Sequence, residues 1–196
     1  PKESKISIDN GQTQITYDLY SEEGFELLSN LMIKVGAEKR LMYEANWLGR
    51  PIIQFPSDII AIQELLWKIK PDFVVETGVA HGGSLILSAS ILEIIGHGEV
   101  IGIDIDIRQH NRKEIESHKL SKRINLIEGS SIDPKIISKI EKLILGSKKI
   151  VVILDSNHTQ DHVTEELKLY SKLVTPKSYI VVHDGAQAWV SDIPSG

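Results

Sequence analysis

Short apolar segments alternate with segments of helical periodicity after residue 57, and this alternation limits the possible folds more than any other feature. The apolar segments are residues 73–75, 100–103, 124–127, 150–154 and 179–182, and the helical ones run near 57–69, 84–95, 111–119, 134–145 and 162–173. Strands that are apolar throughout are buried on both faces. Alternation with helices therefore predicts an α/β fold with a doubly wound, mostly parallel sheet. Ser57 is the predicted N-cap of the first helix.

The first 56 residues follow a different pattern. Short strands on either side of Asn10 and Gly11 predict a hairpin, and the apolar spacing from residue 25 to 32 predicts a helix. Residues 43–56 are irregular. We therefore predict an N-terminal cap segment over residues 1–56 and a core over residues 57–196. Tyr43, Trp47 and Gln54 either close over a ligand as a lid or pack the cap on the sheet.

Composition excludes several classes of protein and site. The chain of 196 residues has no cysteine, which excludes disulfides, zinc–thiolate sites and cysteine nucleophiles. Its net charge is −5, from 22 basic and 27 acidic residues, and the basic residues form no stripe. This argues against a nucleic acid or an anionic membrane as partner. The apolar runs are too short to span a bilayer. We expect a cytoplasmic protein.

Polar residues follow every predicted strand, at the edge where doubly wound sheets bind ligands. The first cluster is a glycine-rich turn in which Gly78 permits a tight bend, Gly82 and Gly83 permit close backbone approach, and Ser84 caps the next helix. Asp104 lies 104 − 83 = 21 residues beyond Gly83, the spacing of an acid that holds ribose hydroxyls. The pattern predicts a nucleoside-containing cofactor.

The residue before this turn separates two classes of cofactor. Glu76 precedes the first glycine, where a carboxylate would repel the pyrophosphate of a dinucleotide but suits a sulfonium and its ammonium group. We therefore predict S-adenosylmethionine, and NAD-dependent oxidoreduction is the disfavoured reading. His81, within the turn, is predicted to line the cofactor site.

Two acids after neighbouring strands suggest a metal site. Asp155 and Asp184 follow the fourth and fifth predicted strands, so their carboxylates are expected at the same edge of the sheet. Hard oxygen ligands of this kind suit Mg²⁺. His158, three residues beyond Asp155, is the candidate general base, with Asp155 beside it as the second catalytic residue.

Four stretches carry a resemblance to a known family: residues 47–58 (WLGRPIIQFPSD), 76–84 (ETGVAHGGS), 101–106 (IGIDID) and 154–158 (LDSNH). From about residue 47 to 183 the chain resembles the cephalosporin hydroxylase and rhamnosyl O-methyltransferase family. The resemblance implies the class I methyltransferase fold, S-adenosylmethionine as cofactor and a Mg²⁺ site like that of catechol-type O-methyltransferases.

The resemblance also implies roles for particular residues. Glu76, Gly78 and Asp104 would hold the cofactor, while Asp155 and the pair after the fifth strand would bind metal. Around the adenine it places Ser130, Ser131 and Asp133. The family usually has an acid at the position of His183. An imidazole there leaves Mn²⁺, Fe²⁺ or Zn²⁺ open beside Mg²⁺.

These observations predict an S-adenosylmethionine-dependent and divalent-metal-dependent O-methyltransferase. Its acceptor would be a hydroxyl of a small molecule, a sugar or a natural-product intermediate. The alternative is a non-catalytic partner subunit that binds S-adenosylmethionine or metal in a hydroxylase or methyltransferase system. In either case we expect a homo-oligomer.

The short sequence after Asp184 limits how many strands the predicted sheet can have. The methyltransferase sheet normally has seven strands, but only 196 − 184 = 12 residues follow Asp184. The C-terminal strands of the fold would therefore be missing, and the fifth strand would be an exposed apolar edge. We expect that the polypeptide continues beyond Gly196 or that a partner chain covers this edge.

Overall fold

A β-hairpin and a long helix form the first of two units in the computed structural model, which describes residues 4–9 and 11–185. Strands β1 (Lys5–Asp9) and β2 (Gln14–Asp18) pair antiparallel, as the sequence predicts. Helix α1 (Glu22–Glu38) follows, and the Ser21 side chain caps it by accepting a hydrogen bond from the Gly24 amide. Two acids in the first turn of α1 favour this helix end electrostatically.

The second unit spans Met42–Gly185 and begins before the predicted boundary at residue 56. It opens with a small hairpin of β3 (Asn46–Trp47) and β4 (Arg50–Pro51), followed by α2 (Pro56–Ile69). Ile52 is buried in the core, and the Trp47 indole donates a hydrogen bond to Ser90. These contacts place residues 42–56 with the core, because Ile52 is buried there and Ala45 and Trp47 pack against it.

A parallel sheet of five strands forms the centre of the second unit. Its members are β5 (Phe73–Thr77), β6 (Glu99–Asp104), β7 (Ile124–Glu128), β8 (Ile150–Leu154) and β9 (Ile180–Val182), in the spatial order β7-β6-β5-β8-β9. All four neighbouring pairs are parallel, which confirms the predicted sheet. The strand order reverses between β5 and β8, and this switch point is where such sheets bind ligands.

Helices cover both faces of this sheet, so the doubly wound prediction is confirmed. Besides α2 they are α3 (Gly83–Ile95), α4 (Gln109–Ser117), α5 (Pro134–Leu143) and α6 (Gln160–Tyr170). Neighbouring strand residues point to opposite faces, and Val74 and Val75 accordingly belong to separate apolar clusters. Ile59, Ile62 and Leu66 of α2 pack in the first cluster, and Ile137 and Ile140 of α5 in the second.

The start of α2 differs from its prediction. Phe55, not Ser57, is the N-cap residue, and no side chain caps this helix. Pro56 at the first helical position explains the shift, because its fixed φ favours helix initiation and its missing N–H needs no partner. Helix α5 begins at Pro134, as the predicted helical segment 134–145 does, and Asp133 caps it by accepting a hydrogen bond from the Lys135 amide.

The last described strand lies at an edge of the sheet. β9 pairs only with β8, and within residues 4–9 and 11–185 no further strand adjoins it. The expectation about how this edge continues or is covered concerns residues 186–196, which lie outside the described residues. Among the described helices, none combines the length and apolar character that crossing a bilayer requires.

Helix α2 provides a test of the packing. Leu66 is fully buried, whereas Ile60 on the same helix is 58% exposed. We expect Leu66→Ala to lower the free energy of unfolding by about 2–5 kcal/mol, because it removes transfer energy and leaves a cavity. The control Ile60→Ala should stay within about 0.5 kcal/mol. Urea unfolding measures both, and equal losses would contradict the described orientation of α2.

Candidate active site

The loops after β5 and β8 touch at the switch point of the sheet. The Asp155 amide donates to the Thr77 carbonyl at 3.0 Å, and the Gly78 amide donates to the Ile103 carbonyl at 2.7 Å. Gly78 has φ +90°, and a Cβ there would overlap the Asp155 carbonyl. A residue without a side chain is therefore required where the glycine-rich turn lies against the Asp155 backbone.

Asp104, at the end of β6, holds the same turn from the other side. One carboxylate oxygen accepts hydrogen bonds from the amides of Val79 at 2.8 Å and Ala80 at 3.3 Å. The other accepts from the Asp106 amide at 3.2 Å. Ala80 has a left-handed φ of +45°, so the turn is strained where Asp104 supports it. A carboxylate has about four acceptor sites, which leaves Asp104 capacity for ligand hydroxyls.

Glu76 is completely buried beneath the turn. The Ser84 hydroxyl donates to its Oε1, while its Oε2 has no hydrogen-bond partner. Burial raises the pKa of Glu76 from 4.5 to about 8, the Ser84 hydrogen bond lowers it and the charge of Asp155 raises it. A positively charged ligand group beside Glu76 would stabilise its carboxylate.

A narrow cleft joins the glycine-rich turn to Asp155 and to the segment before α2. Four of the predicted cofactor residues line it together with Asp155: Gly78, His81, Gly82 and Ser84. Pro51, Ile53 and Gln54, from the segment before α2, also line it. Of the three aromatic or polar residues considered for a lid, Trp47 packs on the core, Tyr43 is exposed and Gln54 lines the cleft.

Three side chains beyond β8 and β9 offer a set of metal ligands. Candidate ligand atoms of Asp155, His158 and Asp184 lie within 4.8 Å of one another, and His158 Nε2 is 2.9 Å from Asp184 Oδ2. Burial, with the Asp184 charge, raises the pKa of Asp155 to about 6 despite the neighbouring imidazoles. The hydrogen bond to Asp184 raises the pKa of His158. A cation would relieve the repulsion between the two carboxylates.

His183 is placed differently from the prediction, in which it belongs to the metal site with Asp155 and Asp184. Its Nδ1 lies 4.0 Å from Asp155 Oδ2, its Nε2 is buried without a hydrogen-bond partner, and its amide donates to the Leu154 carbonyl. His158, the predicted base, is the imidazole in the described cluster of ligand atoms.

The residues predicted around the adenine follow β7 and do not line this cleft. Asp133 accepts a hydrogen bond from the Lys135 amide at 2.8 Å, so its carboxylate caps α5. The Ser130 carbonyl accepts from the Asp133 amide. The Ser131 hydroxyl lies 3.1 Å from His162 Nε2.

Sequence reasoning missed a polar network between Ser131 and the metal-ligand cluster. Ser156 donates to Glu166 Oε1 at 2.7 Å, and its hydroxyl lies 3.3 Å from His162 Nε2. Glu166 is almost fully buried, with Oε2 unpartnered. The signal in the sequence is a histidine and a glutamate four residues apart, which places both on one face of α6.

Arg50 and Asn111, also missed, fix the backbone of the glycine-rich turn. Arg50 donates to the His81 carbonyl through Nε at 2.9 Å and Nη2 at 2.7 Å. Asn111 donates to the Ala80 carbonyl at 2.8 Å and accepts from Arg50. Both turn carbonyls are thus held by buried or largely buried donors, which limits the freedom of the turn before any ligand binds.

A larger cavity, of about 380 Å³, lies at the amino ends of the strands, beside the first residues of β5 and β6. Its cations Lys122 and Arg123 pair with Glu93, so charges around this cavity compensate one another. The cleft at the carboxyl ends of the strands is the better candidate, because it joins the strained turn to Asp155.

Comparison with known proteins adds to this geometry. The family model described as Rhamnosyl O-methyltransferase/CmcI matches residues 39–195. A rhamnosyl O-methyltransferase of Mycobacterium leprae (strain TN) is 33% identical over 140 residues, which cover 70% of this chain and 59% of that protein. The chain therefore spans less than two thirds of the length of this relative.

Solved structures share the fold. A CmcI structure with Mg and SAM superposes with a TM-score of 0.55 at 23% identity, over 78% of this chain and 62% of that one. The O-methyltransferase TomG from Streptomyces achromogenes, in complex with SAM, gives a TM-score of 0.56 at 15% identity over 85% and 70%. These similarities establish a Rossmann-like methyltransferase fold for the described core.

The buried Glu76 provides a test through pH. With a pKa of about 8 in the folded chain against 4.5 as its ordinary value, Glu76 holds a proton that the unfolded chain releases between these values. The free energy of unfolding should therefore fall as pH rises through this range, by at most about 1.4 kcal/mol per pH unit from this group. Glu76→Gln should lose that dependence and gain stability relative to wild type as pH rises.

Urea unfolding between about pH 5 and pH 8 measures this difference, with exposed Glu141→Gln on α5 as control. The raised pKa values of Asp155 and His158 also lower the free energy of unfolding as pH rises. Both groups are present in wild type and in Glu76→Gln, so the difference between the two proteins isolates the contribution of Glu76. A difference that is constant across the range would show that Glu76 is ionised in the folded protein.

Proposed function

Because the chain belongs to the Rhamnosyl O-methyltransferase/CmcI family, we propose that it is an S-adenosylmethionine-dependent O-methyltransferase. The observation that carries the proposal is the buried Glu76 behind the glycine-rich turn, with one carboxylate oxygen unpartnered at the switch point of the sheet. A cationic cofactor suits such a site, whereas a pyrophosphate does not. The name of the Mycobacterium leprae relative supports the reaction class.

The order of the strands suggests how the cofactor lies. Ser130 and Ser131 follow β7 and would border the adenine, with Asp133 supporting their loop as the cap of α5. Asp104 follows β6 and would accept hydrogen bonds from the ribose. The turn with His81 follows β5 and would hold the methionine part, which brings the methyl group toward Asp155 beyond β8.

The donor set near Asp155 fits a divalent metal. Asp155 and Asp184 offer carboxylate oxygens close enough for one ion, and the His158 imidazole in the same cluster is left free of the metal for proton transfer. The CmcI structure supports this proposal, because it shares the fold and was determined with Mg and SAM. A divalent cation such as Mg²⁺ supplies charge that lowers the pKa of an acceptor hydroxyl. His183 beside Asp155 leaves the identity of the metal open.

His158 is the proposed base. Asp184 holds its Nε2 and raises the pKa of the ring, which orients the imidazole and strengthens it as a proton acceptor. Its other nitrogen, Nδ1, would take the proton of the acceptor hydroxyl. The hydroxyl oxygen then attacks the methyl carbon in line with the sulfonium, and the C–S electron pair stays on sulfur. Positioning and exclusion of water supply most of the required catalysis.

The acceptor is proposed to be a small hydroxylated molecule, a sugar or a natural-product intermediate. Methyl transfer from radiolabelled S-adenosylmethionine to a panel of such acceptors, with and without EDTA, tests the reaction. Cofactor binding without transfer to any acceptor would favour the non-catalytic partner subunit instead. A cytoplasmic location and a homo-oligomeric state stay predictions.

Asp104 provides a test of cofactor binding. We expect Asp104→Ala to weaken S-adenosylmethionine binding by roughly 1.5–3 kcal/mol, because a charged hydrogen-bond partner of both ribose and turn is lost. Isothermal titration calorimetry measures the change, with exposed Asp106→Ala as the matched control. An unchanged affinity of Asp104→Ala would remove Asp104 from the cofactor site.

Asp155 and Asp184 provide a test of the metal site. Replacing either with Ala should abolish the dependence on divalent metal and most activity, while S-adenosylmethionine affinity stays largely intact. Calorimetric titration with Mg²⁺ and Mn²⁺ measures metal binding directly, and exposed Glu141→Ala serves as control. Metal binding that survives in both aspartate variants would show that these acids are structural.

A further inference from the structure

We infer that Gln54 binds the amino-acid end of the cofactor, with its side-chain carbonyl accepting a hydrogen bond from the ammonium group of S-adenosylmethionine. The inference rests on the proposed function and extends it to a residue outside the glycine-rich turn. It depends on where Gln54 lies, on what holds it there and on the hydrogen-bonding group that it leaves unpaired.

Gln54 is a buried polar residue in the wall of the cleft. It is only 7% exposed, and it lines the cleft together with the glycine-rich turn and Asp155. Its Oε1 is buried and has no hydrogen-bond partner. Native proteins satisfy nearly all such atoms, so an unpaired carbonyl oxygen on a residue that lines a cleft indicates a donor on a ligand.

The backbone before Gln54 is anchored to the glycine-rich turn, so the backbone that carries the Gln54 side chain is held beside this turn. Arg50 holds the His81 carbonyl, and the Ile52 amide donates to the Ala45 carbonyl at 3.0 Å. A Cβ at Gly83 would overlap the Pro51 carbonyl, so the two segments pack backbone against backbone. The fully buried Ile52 adds an apolar anchor between Arg50 and Gln54.

The strand order assigns Gln54 to the amino-acid end of the cofactor. Ser131 follows β7 at one side of the sheet, and Asp104 follows β6 beside it. The cleft with Gln54 lies where β5 and β8 end, one strand further from Ser131 than Asp104 is. A cofactor with its adenine near Ser131 and its ribose at Asp104 therefore reaches Gln54 with its methionine part.

The unpaired atoms select the ammonium within that part. Gln54 Oε1 can only accept hydrogen bonds, and the same holds for Glu76 Oε2 when the Glu76 carboxyl is ionised. Glu76 itself is connected to the cleft by its hydrogen bond with Ser84, which lines the cleft. A sulfonium has no N–H group and a carboxylate has no donor, whereas an ammonium has three. The ammonium is therefore the cofactor group that we assign as hydrogen-bond donor to these oxygens.

The whole cofactor, one fragment of it and two variants test the assignment. 5′-Methylthioadenosine has the adenine, ribose and sulfur of S-adenosylmethionine but lacks its amino-acid part. Gln54→Met keeps the length of the side chain and removes the acceptor, whereas Gln54→Glu keeps an acceptor. Calorimetry measures the affinity of wild type and both variants for the two ligands, and circular dichroism verifies that each variant is folded.

We expect Gln54→Met to lose roughly 10- to 100-fold in affinity for S-adenosylmethionine, as for a hydrogen bond to a charged donor. Its affinity for 5′-methylthioadenosine should stay within about twofold. Gln54→Glu should retain S-adenosylmethionine binding and its preference over 5′-methylthioadenosine, which keeps the test decisive if Gln54→Met does not fold.

Other outcomes overturn the assignment in distinguishable ways. Equal losses for both ligands would place Gln54 elsewhere in the site, and unchanged S-adenosylmethionine affinity in Gln54→Met would remove it from the site. A Gln54→Glu variant that loses the preference for S-adenosylmethionine would exclude the ammonium as partner. Wild type that binds neither ligand would overturn the proposed function itself, and this inference with it.

Discussion

The backbone contact between Gly78 and Asp155 determines the geometry of the candidate site. Both residues directly follow central strands, and the parallel register of β5 and β8 brings Thr77 and Leu154 level with each other. The missing side chain at Gly78 then lets the two loops touch. The proposed cofactor turn and the proposed metal ligands are consequently adjacent without any long-range adjustment. Methyl transfer needs this adjacency, because donor and acceptor must meet in line.

Buried and closely spaced acidic side chains surround this contact between Gly78 and Asp155. Glu76 and Glu166 are almost fully buried with one oxygen unpartnered each, and Asp155 is brought close to Asp184. Such charges disfavour the folded chain unless protons or cations compensate them. The raised pKa values of Glu76 and Asp155 show the proton as one form of compensation. A sulfonium, an ammonium and a divalent metal would be the other, which links ligand binding to stability.

The fold was largely predictable from the sequence, while the site was predictable only in part. Apolar strands and a glycine-rich turn are local signals, so the sheet, its helices and the cleft residues Gly78 and Ser84 follow from them. Contacts between distant segments leave no such signal. Arg50 on the His81 carbonyl depends on tertiary packing, and so does the burial of Ile52 that assigns residues 42–56 to the core.

The residue at position 183 determines which ligand atoms lie near Asp155, while the backbone around the site stays the same. An acid at position 183 would add a further carboxylate beside Asp155 and Asp184, and the hard oxygen set would favour Mg²⁺. His183 instead places an imidazole 4.0 Å from Asp155, and the positive charge of a protonated ring lowers the pKa of that carboxyl against the effect of burial. His183 thus places a nitrogen atom beside the proposed carboxylate ligands, where an acid would place an oxygen. Since imidazole suits Mn²⁺, Fe²⁺ and Zn²⁺ better than Mg²⁺, His183 bears directly on which ion the proposed metal site would prefer.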